Sequence, residues 1–452
     1  MTHRTLTTLA VVLTPGWAAA QPADIEYATA ADTAFIFNTL LFLVGGFLVF
    51  WMAAGFAMLE AGLVRSKNVA MQLTKNVALF SVAAVMYWIC GYGLMYPGAF
   101  DAATGLWPDA WIVPGVVGAI FAPTVLEPVG PGAEAIADLS YASVGSDFFF
   151  QLMFVATTAS IVSGALAERV RLWPFLAFTV VLTGAIYPIG ASWQWGTGWL
   201  AQAGFSDFAG STLVHAAGGC AALAGAIVLG PRLGKYDAEG RVVAMPGSNL
   251  ALATLGTFIL WLGWFGFNGA SQLALGTIAD AADISRIFVN TNMAAAAGAL
   301  AALGLTQALY GKVDLTMVLN GALAGLVSIT AGPLDPSLFG ALWIGAVGGG
   351  IVVLAVPMLD RMGIDDVVGA IPVHLLAGVW GTLVVPVHTA DASFGMQALG
   401  VAAVGGFVFA ASFATWTVLA ALTGIRVSPE DEVTGLDIAE LGMEAYPEFA
   451  RG

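Results

Sequence analysis

From about residue 33 to residue 424 the chain is a succession of apolar runs, and that alternation leaves few folds open to it. The runs fall at about 33–60, 75–98, 147–167, 172–192, 207–230, 248–270, 286–310, 314–331, 337–359, 367–387 and 394–424, against the roughly 20 apolar residues a spanning helix needs. Backbone N–H and C=O groups find no water in hydrocarbon, so each run must satisfy its own and is expected as a helix. Only 10% of the 452 residues are charged, where a soluble domain carries about a quarter. The 56 glycines suit close helix packing in lipid. A net charge of −15 without a basic stripe excludes a nucleic-acid partner. Cys90 and Cys220 fall inside apolar runs with no CxxC neighbour and read as small core residues.

The basic residues set the orientation. Arg65, Lys67, Lys75, Arg169, Arg171, Arg232, Lys235, Arg241, Lys312, Arg361, Arg426 and Arg451 follow odd-numbered spans, twelve of the fourteen in the chain. They lie on one side if the chain crosses eleven times. The positive-inside rule then puts the mature N-terminus outside and the C-terminus inside. Residues 1–20 read as a signal peptide, with Arg4, an apolar Leu6–Val12 and Ala18-Ala19-Ala20 before Gln21. The Pro-rich connection at about 99–146 reads as an ordered outer loop with no legible function. Residues 425–452 form a tail with seven acids from Glu430 to Glu448, and a charged tail ordinarily reads as solvated.

Two of the spans echo each other. Asp207-Phe208-Ala209-Gly210-Ser211-Thr212-Leu213-Val214-His215 aligns without a gap to Asp366-Val367-Val368-Gly369-Ala370-Ile371-Pro372-Val373-His374, each His eight residues after its Asp. With eleven crossings the two segments run in opposite senses. The expected fold is therefore an all-α polytopic membrane protein of eleven transmembrane helices, with spans one to five inverted against six to ten. Inverted repeats place the substrate path at their interface near the midplane, and eight helical residues carry each His roughly 12 Å into its span.

A single buried histidine is more often a hydrogen-bonded core residue; two at equivalent repeat positions point to function. An imidazole pair suits a proton relay. Haem ligation is a rival, while metal hydrolysis lacks both an HExxH and a mid-span carboxylate. Asp207 and Asp366 open their helices, where an Asp caps free N–H groups. Capping is the favoured reading for Asp366, and for Asp207 capping and attraction of a cation weigh equally. Trp193, Trp195 and Trp199 read as an interfacial belt or as a cation–π vestibule. Phe148, Phe149, Phe150 and Phe154 open span three from the same side, and Trp264 to Ser271 close span six there.

With residues 207–219, Ala165-Leu166-Ala167-Glu168-Arg169, Gly263-Trp264-Phe265-Gly266-Phe267-Asn268 and the tail from Gly435-Leu436-Asp437 to Ala445-Tyr446, the chain resembles the ammonium transporter (Amt/Rh) family, nearer its Amt branch. The resemblance covers essentially the whole mature chain. It implies an outer ammonium recruitment site at Trp195, Phe154 and Ser271, with Phe150 as a vestibule aromatic and Asp207 as supporting acid. It implies a stacked gate of Phe154 and Phe267, twin pore histidines His215 and His374, and Thr330 toward the inner leaflet; Trp264 and Asp366 are expected as further pore or structural residues. It further implies a homotrimer with one pore per subunit, a cytoplasmic PII-type partner, and a regulatory tail.

The expected parts are then a signal peptide (1–20), a transporter domain (21–424) and a cytoplasmic tail (425–452), in a bacterial inner membrane. The expected activity is transport of ammonium, with methylammonium as its analogue, and not enzymatic; no cofactor or metal is expected. An ammonium sensor that conducts poorly and a bis-histidine haem oxidoreductase are the competing readings.

Overall fold

The computed structural model describes residues 29–96 and 141–447. The segment read as a signal peptide, most of the Pro-rich connection, and Arg451 lie outside these residues. Among the described residues the chain is helical with no strand; two isolated bridges, Val170–Arg426 and Tyr236–Val242, join loops.

Among the described residues nine helices are long and apolar enough to cross a membrane: α1 Ala30–Leu63, α2 Ser66–Met95, α3 Val144–Ala165, α4 Leu172–Ser192, α5 Ser211–Leu229, α6 Leu250–Gln272, α7 Ile278–Tyr310, α9 Leu338–Arg361 and α11 Phe394–Thr423. Two shorter apolar helices, α8 Leu315–Ile329 and α10 Ile371–Val387, complete the bundle. Large apolar side chains such as Phe47, Phe50, Phe339, Leu354 and Leu422 face outward, as they do where the surroundings are lipid rather than water.

Several starts differ from the sequence expectation for local reasons. α7 begins earlier because Thr277 and Asp280 form a capping box, each side chain accepting the other's backbone N–H. α2 begins well before residue 75, so Lys75 is not a flanking loop residue; it is buried within the helix. Its charge is met by the Ser163 carbonyl, which accepts from Nζ at 3.0 Å, and by the Phe175 ring.

The helices meet through small residues. A Cβ on Gly55 or Gly62 of α1 would strike the backbone of α6, and one on Gly256 or Gly266 of α6 the backbone of α1. α7, α8 and α9 close on one another in the same way at Gly298, Gly325 and Gly345. Without a hydrophobic drive between helices in lipid, such backbone approach supplies the packing.

The basic loops gather at one end. Arg232 makes a two-point contact with Asp365 (2.8 and 2.9 Å) and approaches Glu168, which also holds Arg65, while Lys235 pairs with Asp360 at 2.9 Å. Burial alone would raise the pKa of Asp365, but its bonds to Arg232 and the charges of Arg169 and Arg232 bring it below the usual carboxylate range.

The acidic tail is docked on this end rather than solvated. It forms two short helices, α12 Pro429–Thr434 and α13 Leu436–Leu441. Asp437 accepts the free N–H groups of Ala70 and Met71 at the start of α2, at 2.9 and 2.8 Å, and Glu432 bonds Leu233 N and Arg426.

Candidate functional site

The site is built where α5 and α10 cross. Asp207 precedes α5, and its two carboxylate oxygens accept four backbone N–H groups: Gly210 at 3.0 Å and Ser211, Thr212 and Leu213 each at 2.8 Å. Those are the donors a helix start leaves without partners. Gly210 reaches φ +107°, open to glycine at little cost, and the Gly210 carbonyl accepts from His215 N at 3.0 Å, five residues on. Residues Ser211–Ala216 therefore form a π-helical turn. The extra residue per turn re-aims the side chains that follow, a device common at functional sites.

α10 repeats the construction. Asp366 accepts Gly369 N at 3.1 Å, Ile371 N at 2.7 Å and, more loosely, Val368 N. Gly369 lies at φ +79°, the same offset from its Asp as Gly210. Pro372 needs no acceptor in this first turn, and Ile371–Leu376 is again π-helical. Both aspartates thus serve as helix caps.

The two helices begin at opposite ends of the bundle, with α8 as the ruler. Asn320 Nδ2 donates to the Val368 carbonyl beside Asp366, and further along α8 the Val327 carbonyl accepts from Ser211 Oγ beside Asp207. Thr330 is beyond that point: its carbonyl accepts from Ala209 N at 3.0 Å and its hydroxyl oxygen from Trp264 Nε1 at 2.8 Å. It sits at the Asp207 end, remote from the basic loops, which corrects the expectation of a position toward the inner leaflet. α8 runs away from the loop holding Lys312, so its last residues cannot return to that side.

The histidines meet in the middle. His215 Nδ1 and His374 Nδ1 are 3.2 Å apart, with ring centroids at 5.2 Å and an interplanar angle of 20°. Both rings are buried, and the Nε2 of His215 has no partner among the described residues. That separation is a hydrogen bond sharing one proton, and a porphyrin between the rings has no room. Trp264 stacks on His215 at 4.9 Å and Phe267 at 5.2 Å.

Above His215 the rings continue outward. Phe267 packs on Phe154 at 4.1 Å, tilted by 33°. Phe154 receives the edge contacts of Phe150 at 4.8 Å and Trp195 at 5.7 Å. Trp195 Nε1 donates to the Asp207 carbonyl at 3.1 Å, tying the aromatic group to the α5 cap. Ser271 follows Phe267 by one turn and donates to its carbonyl at 2.8 Å. The fold therefore brings Phe150, Phe154, Trp195, Trp264, Phe267, His215 and His374 into one connected stack, with Ser271 a turn beyond it. Phe42 of α1, stacked on Phe150 at 5.4 Å, also belongs to the stack. Nothing in its sequence surroundings distinguishes it from the other phenylalanines of α1. Beyond His374 a vestibule of about 380 Å³ opens among Arg232, Lys235, Asn320, Asp366 and Val368.

A model of the Ammonium Transporter Family matches residues 40–446. Ammonium transporter Amt2 of Archaeoglobus fulgidus is 41% identical over 438 residues, covering 90% of this chain and 87% of its own. Ammonium transporter Amt2 of Haloferax mediterranei is 38% identical over 91% of this chain and 90% of its own. Among solved structures, a sensor Amt protein superposes with a TM-score of 0.80 at 34% identity, over 90% of this chain and 99% of that one. Candida albicans Mep2 superposes at 0.76 with 26% identity over 92% of each chain.

Proposed function

The chain belongs to the ammonium transporter family, and on that premise we propose that it strips ammonium of a proton at its aromatic end and conducts ammonia past the twin histidines. Eleven crossings, with the basic loops and tail in the cytoplasm, put Trp195 and Ser271 at the outer mouth. The location proposed is the bacterial inner membrane, supported by the bias of basic residues.

The observation that carries the reading is the 3.2 Å contact of His215 with His374 beneath the Phe154–Phe267 pair. A cation entering this dry stack loses its water, at a cost of several kcal/mol or more. Giving up a proton from an amine with a pKa of about 9 costs only about 3 kcal/mol at pH 7. Deprotonation at the ring pair is the cheaper crossing. Potassium, of similar size, has no proton to lose and is refused on that ground.

Indole and phenyl faces attract the arriving cation, and Ser271 offers it an oxygen. Asp207 acts through the α5 cap it holds. The neutral imidazoles then bond ammonia, and the pair passes the separated proton along a chain of its own, which makes transport electrogenic. A homotrimer with one pore per subunit and a PII-type partner at the tail complete the proposal.

Proteoliposomes given an ammonium pulse at clamped potential test it. The expected result is an inward current lost in the double variant His215→Ala, His374→Ala. Ammonium binding without flux would favour the sensor reading, which the superposition on a sensor Amt protein keeps in view.

A further inference from the structure

Glu60, near the cytoplasmic end of α1, is a buried carboxylate that the pathway above does not use. It is 1% exposed. Its Oε2 accepts from Gln72 Nε2, from Asn76 Nδ2 at 2.7 Å and from Ser163 Oγ at 3.2 Å. Its Oε1 takes none of these three bonds. Lys75, also 1% exposed, is anchored to the Ser163 carbonyl at 3.0 Å and so sets a positive charge beside the same network. An ionisable group buried this deeply in an apolar helix is costly to keep and calls for a task.

Glu60 lines a small internal cavity together with Phe56, Ser160, Asn320, Val368 and His374. The cavity has about 10 Å³ of solvent-sized space, close to what one water requires, and a water there has the several polar partners it needs. Asn320 and Val368 also line the cytoplasmic vestibule, so the cavity and the vestibule share a wall.

The inverted repeat gives Glu60 a counterpart. Gly55-Phe56-Ala57-Met58-Leu59-Glu60 in α1 matches Gly266-Phe267-Asn268-Gly269-Ala270-Ser271 in α6. Phe56 lies 6.2 Å from the His374 ring centre, as Phe267 lies 5.2 Å from that of His215. Glu60 thus stands to His374 as Ser271 stands to His215, with a carboxylate where the outer site has a hydroxyl.

We propose that Glu60 is the proton acceptor on the cytoplasmic side of the twin histidines. The inference rests on the separate passage of proton and ammonia proposed above. The N–H bond of the His374 imidazolium breaks as the cavity water takes its proton. An O–H bond of that water breaks in turn as Glu60 Oε1 takes one. Glu60 then releases the proton to water in the vestibule. No electron is transferred, and one proton has moved inward.

The test uses the full-length protein in proteoliposomes, recording ammonium-evoked current and methylammonium uptake together. Glu60→Gln is expected to cut the charge moved per methylammonium taken up at least tenfold, and Glu60→Asp to restore it to within about threefold of wild type. A purely structural Glu60 would shift the melting temperature without this split. If Glu60→Gln does not assemble, Ser160→Val fills the cavity with the carboxylate in place and is expected to lower the current similarly. A wild-type charge ratio in Glu60→Gln, or in Ser160→Val, overturns the acceptor while leaving the transport reading standing. Absence of current in the wild-type protein overturns the separate proton pathway and the acceptor with it.

Discussion

Around His215 the walls are rings; around His374 a carboxylate, an amide and a hydroxyl stand among the apolar side chains. The two histidines belong to matched segments, each capped by an Asp, bent by a left-handed glycine and wound into a π-helical turn. Yet Trp264, Phe267 and Phe154 crowd the first, while Glu60, Ser160 and Asn320 share a cavity with the second. The repeat fixes where the imidazoles stand, and the neighbours fix what each half can do. On the proposed function the aromatic half is where ammonium surrenders its proton, and the half that holds Glu60 is where the proton leaves.

The comparison can be broken or sharpened in order of effect. His215→Ala with His374→Ala removes what the halves share, and the ammonium-evoked current should fall about 100-fold or more, the usual worth of positioned acid–base groups; solid-supported membrane recording reads it. Gly219→Val attacks the crossing itself. A Cβ there would lie 2.6 Å from Leu375 N, and overpacking against backbone should cost about 2–3 kcal/mol, seen as a lowered thermal midpoint of the solubilised protein.

Replacing the caps separates the halves. Asp207→Ala should cost about 2 kcal/mol, since four N–H groups lose their acceptor, and Asp366→Ala about 1 kcal/mol; equal costs in denaturant titrations would erase that asymmetry. Phe154→Ala should lower selectivity for methylammonium over potassium about tenfold, the range of one lost cation–π contact with its packing. Phe56→Ala should leave selectivity within about twofold, as competition uptake assays can check.

The mildest effect is one of pH. Because the folded-state pKa of Asp365 is lowered, its stabilisation is fully present above the unfolded value of about 4 and is lost as pH falls toward the folded value. The loss should reach only about 0.4 kcal/mol by pH 4 and grow below it. Asp365→Asn should flatten that dependence in thermal melts between pH 7 and pH 3.

Much of this was legible in the chain because membrane helices are specified locally. Apolar runs mark them and basic residues mark one side, and the Asp–His echo survives as identical residues at identical offsets. What was not legible depends on partners distant in sequence. Lys75 looks like a loop cation until Ser163 and Phe175 are brought to it. The tail looks solvated until Asp437 finds the open N–H groups of α2. The π-helical turns depend on where a carboxylate and a glycine place the first hydrogen bonds, and apolar periodicity does not register them. Thr330 was misplaced although the direction of α8, readable from Lys312, already put it at the Asp207 end.

Gly219 meets the main chain of Leu375, and Gly378, at the same offset in its own repeat, meets the carbonyl of Ser211. At these two points the waist of the molecule is clamped close to main chain, where a glycine has no side chain of its own to serve as a bearing. A carrier that rocks about its centre needs such a bearing; a conduit of fixed bore does not. On the proposed function the crossing is therefore the part of the path that holds its shape, and opening and closing fall to the side chains on either side of it.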